Sequence, residues 1–204
     1  PTLYNVGFGA HRIEGIGDKH VTWVHNVLNM DALMCIDDID CIRGMDLLEN
    51  GGAVLAKDVG VDEEQVARFR GVFGMSGVCN ILGAIKAAKF YKLGPSDLIV
   101  TVATDGYDRY PSVTEWLATQ EGPQTREHAL RRVEIFRRAG LDWILHGREA
   151  QQRWHNQKYF TWVEQQGKSL ASLEQQRDPS FWKSQRERVG EIDKRVLERR
   201  PSLG

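Results

Sequence analysis

Residues 98–106 read "LIVTVATDG", and whether this run is a strand decides the fold. Leu98, Ile99, Val100 and Val102 follow one another with almost no polar alternation, which is typical of a strand covered on both faces. A "GPSD" turn precedes it. Upstream, "SGVCNILGAIKAAKFYKLG" runs from Ser76, an expected N-cap, to Gly94, with Lys86, Lys89 and Lys92 toward its C-terminal end. That pattern predicts a buried helix with charges that suit its dipole. Further back, "DIDCIRGMDLLEN" places Ile39, Ile42, Met45, Leu47 and Leu48 at near-helical spacing and stops at Asn50-Gly51-Gly52. "DALMCID" (31–37) reads as a short buried strand, "AVLAKDVGV" as strand or turn, and "DEEQVARFRGVFG" as a helix opening on acids. Strand, helix, helix, strand in this order predicts an α/β fold with right-handed crossovers on a parallel sheet.

Beyond Tyr110-Pro111 the pattern turns helical. "TREHALRRVEIFRRAG" has Thr125 as cap, Leu130, Val133 and Phe136 inside, and Gly140 as stop. "EAQQRWHNQKYFTWVEQQG" carries Trp154, Phe160, Trp162 and Val163, and "DPSFWKSQRERVGEIDKRVLERR" opens on a capping Asp178 followed by Pro179. The expected division is therefore 1–113, an α/β portion, and 114–204, a helical, Trp-rich extension.

Charge supports a division. The 27 Lys+Arg and 28 Asp+Glu nearly cancel, which gives no reason to expect a nucleic-acid partner. Acids nonetheless exceed bases up to residue 113, and bases exceed acids after it. Trp116, Trp143, Trp154, Trp162 and Trp182, five of the six tryptophans, lie in the later part. No apolar run approaches the ~20 residues that span a bilayer, and "PTLYNVGFGAHRIEG" shows no signal-peptide pattern. The three cysteines, Cys35, Cys41 and Cys79, are an odd number at unrelated spacings. Buried free thiols in a reducing cytoplasm are the expectation.

Three segments in order carry a resemblance: "HRIEGIGD" (11–18), "GMSGVCNILGAIKAAK" (74–89) and "VTVATDGYDRY" (100–110). Together they resemble the C-terminal portion of the pyridoxal-phosphate (PLP)-dependent cysteine synthase and cystathionine β-synthase family, the tryptophan synthase β-like enzymes of fold type II. The similarity covers roughly residues 7 to 113. It implies part of a parallel-sheet large domain, and β-elimination or β-replacement on a cysteine- or serine-like amino acid. By resemblance, Gly15, Ile16 and Gly17 line the substrate cleft, while Thr104, Asp105 and Gly106 form the strand end that faces the pyridine nitrogen.

Two departures follow. Aligned on the aspartate, the family's usual serine has become Gly106, so Thr104 is the nearest hydroxyl. The Schiff-base lysine and phosphate loop lie upstream of the H-K-I-x-G-I-G element in the family, and none of Lys19, Lys57, Lys86, Lys89 or Lys92 occupies that lysine's position. The resemblance therefore implies PLP only in a complete assembly, with a partner chain carrying the lysine and a symmetric dimer of the whole. The alternative is a non-catalytic assembly subunit derived from such an enzyme.

Other signals have plainer readings. His11, His20 and His25 are not at i, i+4 spacing, so no metal site is expected. "GMSG" could hold an anion at a helix start, but helix packing is the better account. "RWHNQKYFTW" mixes bases and aromatics, and with near-zero net charge it reads as a core or interface stripe rather than a nucleic-acid surface. A sheet built only from 31–37, 53–60 and 98–104 would keep an open edge, and such edges are normally paired, covered or blocked.

Overall fold

The computed structural model describes Tyr4, residues 11–14 and residues 20–199. The chain is mostly helical, and the expected parallel-sheet α/β fold is wrong. Its sheet has two short strands, β1 (Ala32–Met34) and β2 (Ile144–His146). They run antiparallel: Cys35 N–H donates to Trp143 O at one end (3.1 Å) and Gly147 N–H to Asp31 O at the other (2.7 Å). β1 covers only three residues of the run expected at 31–37. "AVLAKDVGV" became helix, at Gly52–Val54 and in the wide turn Leu55–Val59. Residues 98–104 form no regular secondary structure and belong to no sheet. A strand needs a neighbour for its main-chain groups, and the described residues provide none.

Two compact units divide the chain. The first takes the residues up to Lys19 and Met34–Leu145. Its helices are α1 (Asp38–Asn50), α2 (Glu63–Phe69), α3 (Met75–Tyr91), α4 (Pro111–Glu121) and α5 (Arg126–Arg137). The start of α1 is fixed by Asp37, whose Oδ1 accepts from the amides of Ile39 (2.9 Å) and Asp40 (3.1 Å). Its apolar face, Cys41, Ile42, Met45 and Leu47, is almost wholly buried. α1 is the hub, packing against α3, α4 and α5. Gly44 permits the closest approach: a Cβ there would lie 2.8 Å from Val78 Cγ1 and 3.1 Å from Phe136 Cζ.

The expected cap of α3 is displaced. Gly74 is the N-cap and makes no side-chain bond, while Ser76 lies one step inside the helix and is buried. The helix ends at Tyr91 with Lys92 in a left-handed conformation, short of Gly94. Lys86 and Lys89 do more than balance a dipole. Lys86 donates to Cys35 O (2.9 Å), and Lys89 donates to the carbonyls of Arg137 and Ala139 (3.0 Å each), satisfying acceptors past the end of α5. All three cysteines are free: Cys41 and Cys79 are buried and Cys35 half-buried. The hydrogen bond with Cys79, together with burial, pushes the Cys41 thiol up.

A polar cluster ties α5 to α1 and α4. The Arg132 guanidinium, 3 % exposed, donates to Asp46, to Gln124 Oε1 (2.6 Å) and to Glu121 Oε2 (3.0 Å). Arg43 also donates to Glu121, at 2.8 Å. Burial works against the ionised Glu121 carboxyl, but the hydrogen bonds and charges of Arg43 and Arg132 prevail and hold it below the usual range.

The second unit joins residues His20–Leu33 to those from His146 onward. Its helices are α6 (Gly147–Lys158), continued by the wide turn Tyr159–Gln165, then α7 (Leu170–Gln175), α8 (Pro179–Glu187) and α9 (Val189–Arg199). The Asp178-Pro179 start holds, with Asp178 Oδ1 accepting from Ser180 N at 2.8 Å. The segment before β1 is woven into these helices. Trp162 donates to Val21 O (2.8 Å), and Lys158, fully buried, donates to Trp23 O (3.2 Å), His25 O (2.6 Å) and Gln176 Oε1 (2.7 Å). Burial lowers Lys158 to about 8.

Candidate functional site

Thr104, Asp105 and Gly106 meet the N-terminal turn of α3. Gly74 N–H donates to Asp105 O (2.8 Å), and the Thr104 hydroxyl touches the Ser76 hydroxyl in a short hydrogen bond. Asn80 Nδ2 reaches Val102 O at 2.9 Å. Tyr110, 3 % exposed, points its hydroxyl at Asp105 Oδ2 (3.3 Å). Burial, then the charge of Asp105, pushes the Tyr110 phenol up, so it remains a neutral donor across the ordinary pH range. Ser76, on Thr104, and Tyr110, on Asp105, are the partners that motif reading alone did not supply. Their relevance follows only once α3 and the 98–106 run are side by side.

The glycine at 106 has a physical cause. A Cβ added there would lie 2.8 Å from Gly71 O and 2.9 Å from Asp108 Oδ1. A serine could not enter without moving main chain, so within this segment Thr104 is the hydroxyl that can face a ligand. Thr104 and Asp105 are exposed, and the segment offers one edge of a site rather than an enclosure. Of the groups PLP requires, this edge fits the ring-side hydroxyl. Gly15, Ile16 and Gly17 lie outside the described residues. Next to them, Arg12 stacks its guanidinium 4.1 Å from the centre of the Trp116 ring, and its amide donates to Asp38 Oδ2 (2.8 Å).

Immediately before Thr104 lies an exposed apolar stretch. Leu98, Val100 and Val102 are 86 %, 82 % and 65 % exposed. Among the described residues, the bond from Asn80 is the one hydrogen bond that reaches the main chain of 98–104. No group of acids, histidines and cysteines among the described residues could hold a metal ion. No described helix is long and apolar enough to cross a membrane. No protein family, curated protein or solved structure matches this chain.

Proposed function

We propose that this chain is a component of a larger assembly in which residues 98–104 are covered by another polypeptide segment. In this reading the assembly is a PLP-dependent, cysteine synthase-like enzyme. It performs β-elimination or β-replacement on a cysteine- or serine-like amino acid. The observation that carries the first part is the exposed apolar run Leu98–Val102, whose main-chain groups are nearly all free for pairing. The second part rests on the resemblance of the three segments and on the Thr104 hydroxyl at the start of α3. In this reading a partner chain carries the catalytic lysine and the phosphate loop, and three free cysteines suit a cytoplasmic setting.

When bound, PLP supplies the electron sink that makes the α-proton of an amino acid removable. The part of this chain is positional. Thr104 would present a neutral hydroxyl to the cofactor, Ser76 fixes that hydroxyl's direction, and Asp105 holds the turn through Tyr110 and the Gly74 amide. A second reading, a non-catalytic scaffold, draws on the same contact: Thr104 already has Ser76 as a partner and needs no ligand to satisfy it.

The cofactor separates the two. In the assembly isolated with its partner, Thr104→Val should shift the absorption of bound PLP and lower turnover while leaving folding intact. One net hydrogen bond is worth about 1 kcal/mol, roughly a five-fold effect. An unchanged spectrum and rate would remove Thr104 from the site, and an assembly free of PLP would establish the scaffold. Docking has its own test. Val100→Asp should leave the isolated chain's stability within about 0.5 kcal/mol, as exposed substitutions do, yet abolish co-purification of the partner. Co-purification undiminished by that change would place the contact elsewhere.

A further inference from the structure

We propose that the face of α6 formed by Arg148, Gln151, Gln152 and His155, together with Arg177, is a binding site for a small phosphate-type dianion. The four α6 residues are spaced i, i+3, i+4 and i+7, which brings them onto one side of the helix. With Arg177, Val27 and Leu28 they line a cleft of about 300 Å³ within the second unit. This site is independent of the PLP reading and lies on different residues.

His155 is the observation that asks for a ligand. It is 1 % exposed, yet neither ring nitrogen has a hydrogen-bond partner among the described residues. The Glu174 carboxylate stops 3.8 Å from Nε2, beyond hydrogen-bonding distance. Buried polar groups are nearly always paired, and an orphan calls for an explanation such as a missing ion. A neutral imidazole has one N–H to donate, and a bound oxyanion would accept it.

The charges select the ligand. Arg177 is braced, with Nε on Glu174 Oε2 (2.7 Å) and Nη2 on Asn156 Oδ1 (3.0 Å). Arg148 is exposed and makes no ion pair among the described residues. Gln151 is pinned by its amide to Met30 O at 3.0 Å. Around His155 stand the cations Arg148, Arg177 and Lys158 and a single carboxylate, Glu174. Two positive charges are left over, which suits a dianion better than a monocarboxylate, and guanidinium forks match its tetrahedral oxygens. Burial, then the charges of Arg177 and Lys158, lowers His155 to about 4. A bound dianion would counter both cations and raise it.

The experiment follows the His155 ring nitrogens by NMR in the intact protein at low ionic strength, titrating inorganic phosphate against acetate. At about pH 7.5, where phosphate is mostly a dianion, it should bind saturably, shift the His155 ring nitrogens and bind at least about 10-fold more tightly than acetate. Arg148→Gln, an exposed change that leaves the fold intact, should weaken phosphate several-fold, and Arg177→Gln should do the same. Three results would each overturn the proposal: ring nitrogens indifferent to phosphate, a shift that survives both arginine changes, or acetate binding as well as phosphate.

Discussion

Arg132→Leu is expected to destabilise the first unit by about 3–5 kcal/mol, the usual cost of leaving a buried ion pair half-made. The substitution strands Asp46, 8 % exposed, without its guanidinium, and removes donors from Glu121 and Gln124 together. The cluster joins α1, α4 and α5, so its loss should reach the whole unit. Urea unfolding should show the drop as a lower midpoint with an unchanged slope. Pairing the change with Asp46→Leu should recover part of the loss, because no orphaned charge then remains on α1. A single-variant effect below about 1 kcal/mol would mean the cluster is solvated rather than structural. The Glu121 carboxyl also sets a pH dependence. Its folded pKa is depressed, so its contribution is present above the ordinary carboxylate range and is lost as pH falls through the folded value.

The second large effect is loss of stability in mild acid. His155 titrates near 6.5 in an unfolded chain and at about 4 in the fold. Between those values the unfolded state holds a proton that the native state refuses, so stability falls as pH drops from 6.5 toward 4. The full shift is on the order of 3 kcal/mol. His25, lowered by burial and then by Lys158, acts in the same direction. Lys158 works at the other end. Its native form gives up a proton near 8 while the unfolded form keeps it to 10.5, so stability should rise with pH across that window. In phosphate-free buffer, His155→Phe should flatten most of the acid limb of a denaturation-versus-pH curve. A limb of unchanged steepness in that variant would assign the acid response to other groups.

Local signals in the sequence translated well where they were self-contained. Thr125 caps α5 as its position implies, and Asp178-Pro179 opens α8. The apolar spacing of Ile42, Met45 and Leu47 is the buried face of α1. What failed depended on neighbours. The run at 98–104 has every intrinsic feature of a covered strand, but covering it requires another strand, and 53–59 folded as helix instead. The segment on which Trp154 and Trp162 pack, residues 20–33, lies more than a hundred positions earlier, out of reach of local patterning. Trp162 and Lys158 spend their donors on its carbonyls. Thr104, Asp105 and Gly106 were singled out from a motif resemblance alone. Their link to Ser76 and Tyr110, and the crowding that makes residue 106 a glycine, exist only in three dimensions.

On the proposed reading, residues 98–104 are an interface rather than a solvent-facing segment. Hydrogen exchange read on peptides covering this stretch, in the isolated chain and in the protein recovered with whatever accompanies it, tests that directly. The amides of 98–104 should exchange at near-unfolded rates in the isolated chain, where they lack partners, and be slowed by at least about 100-fold in the assembly, as paired strands are. Equal, fast exchange in both preparations, or a stable monomer that recruits nothing at micromolar concentration, would contradict the account.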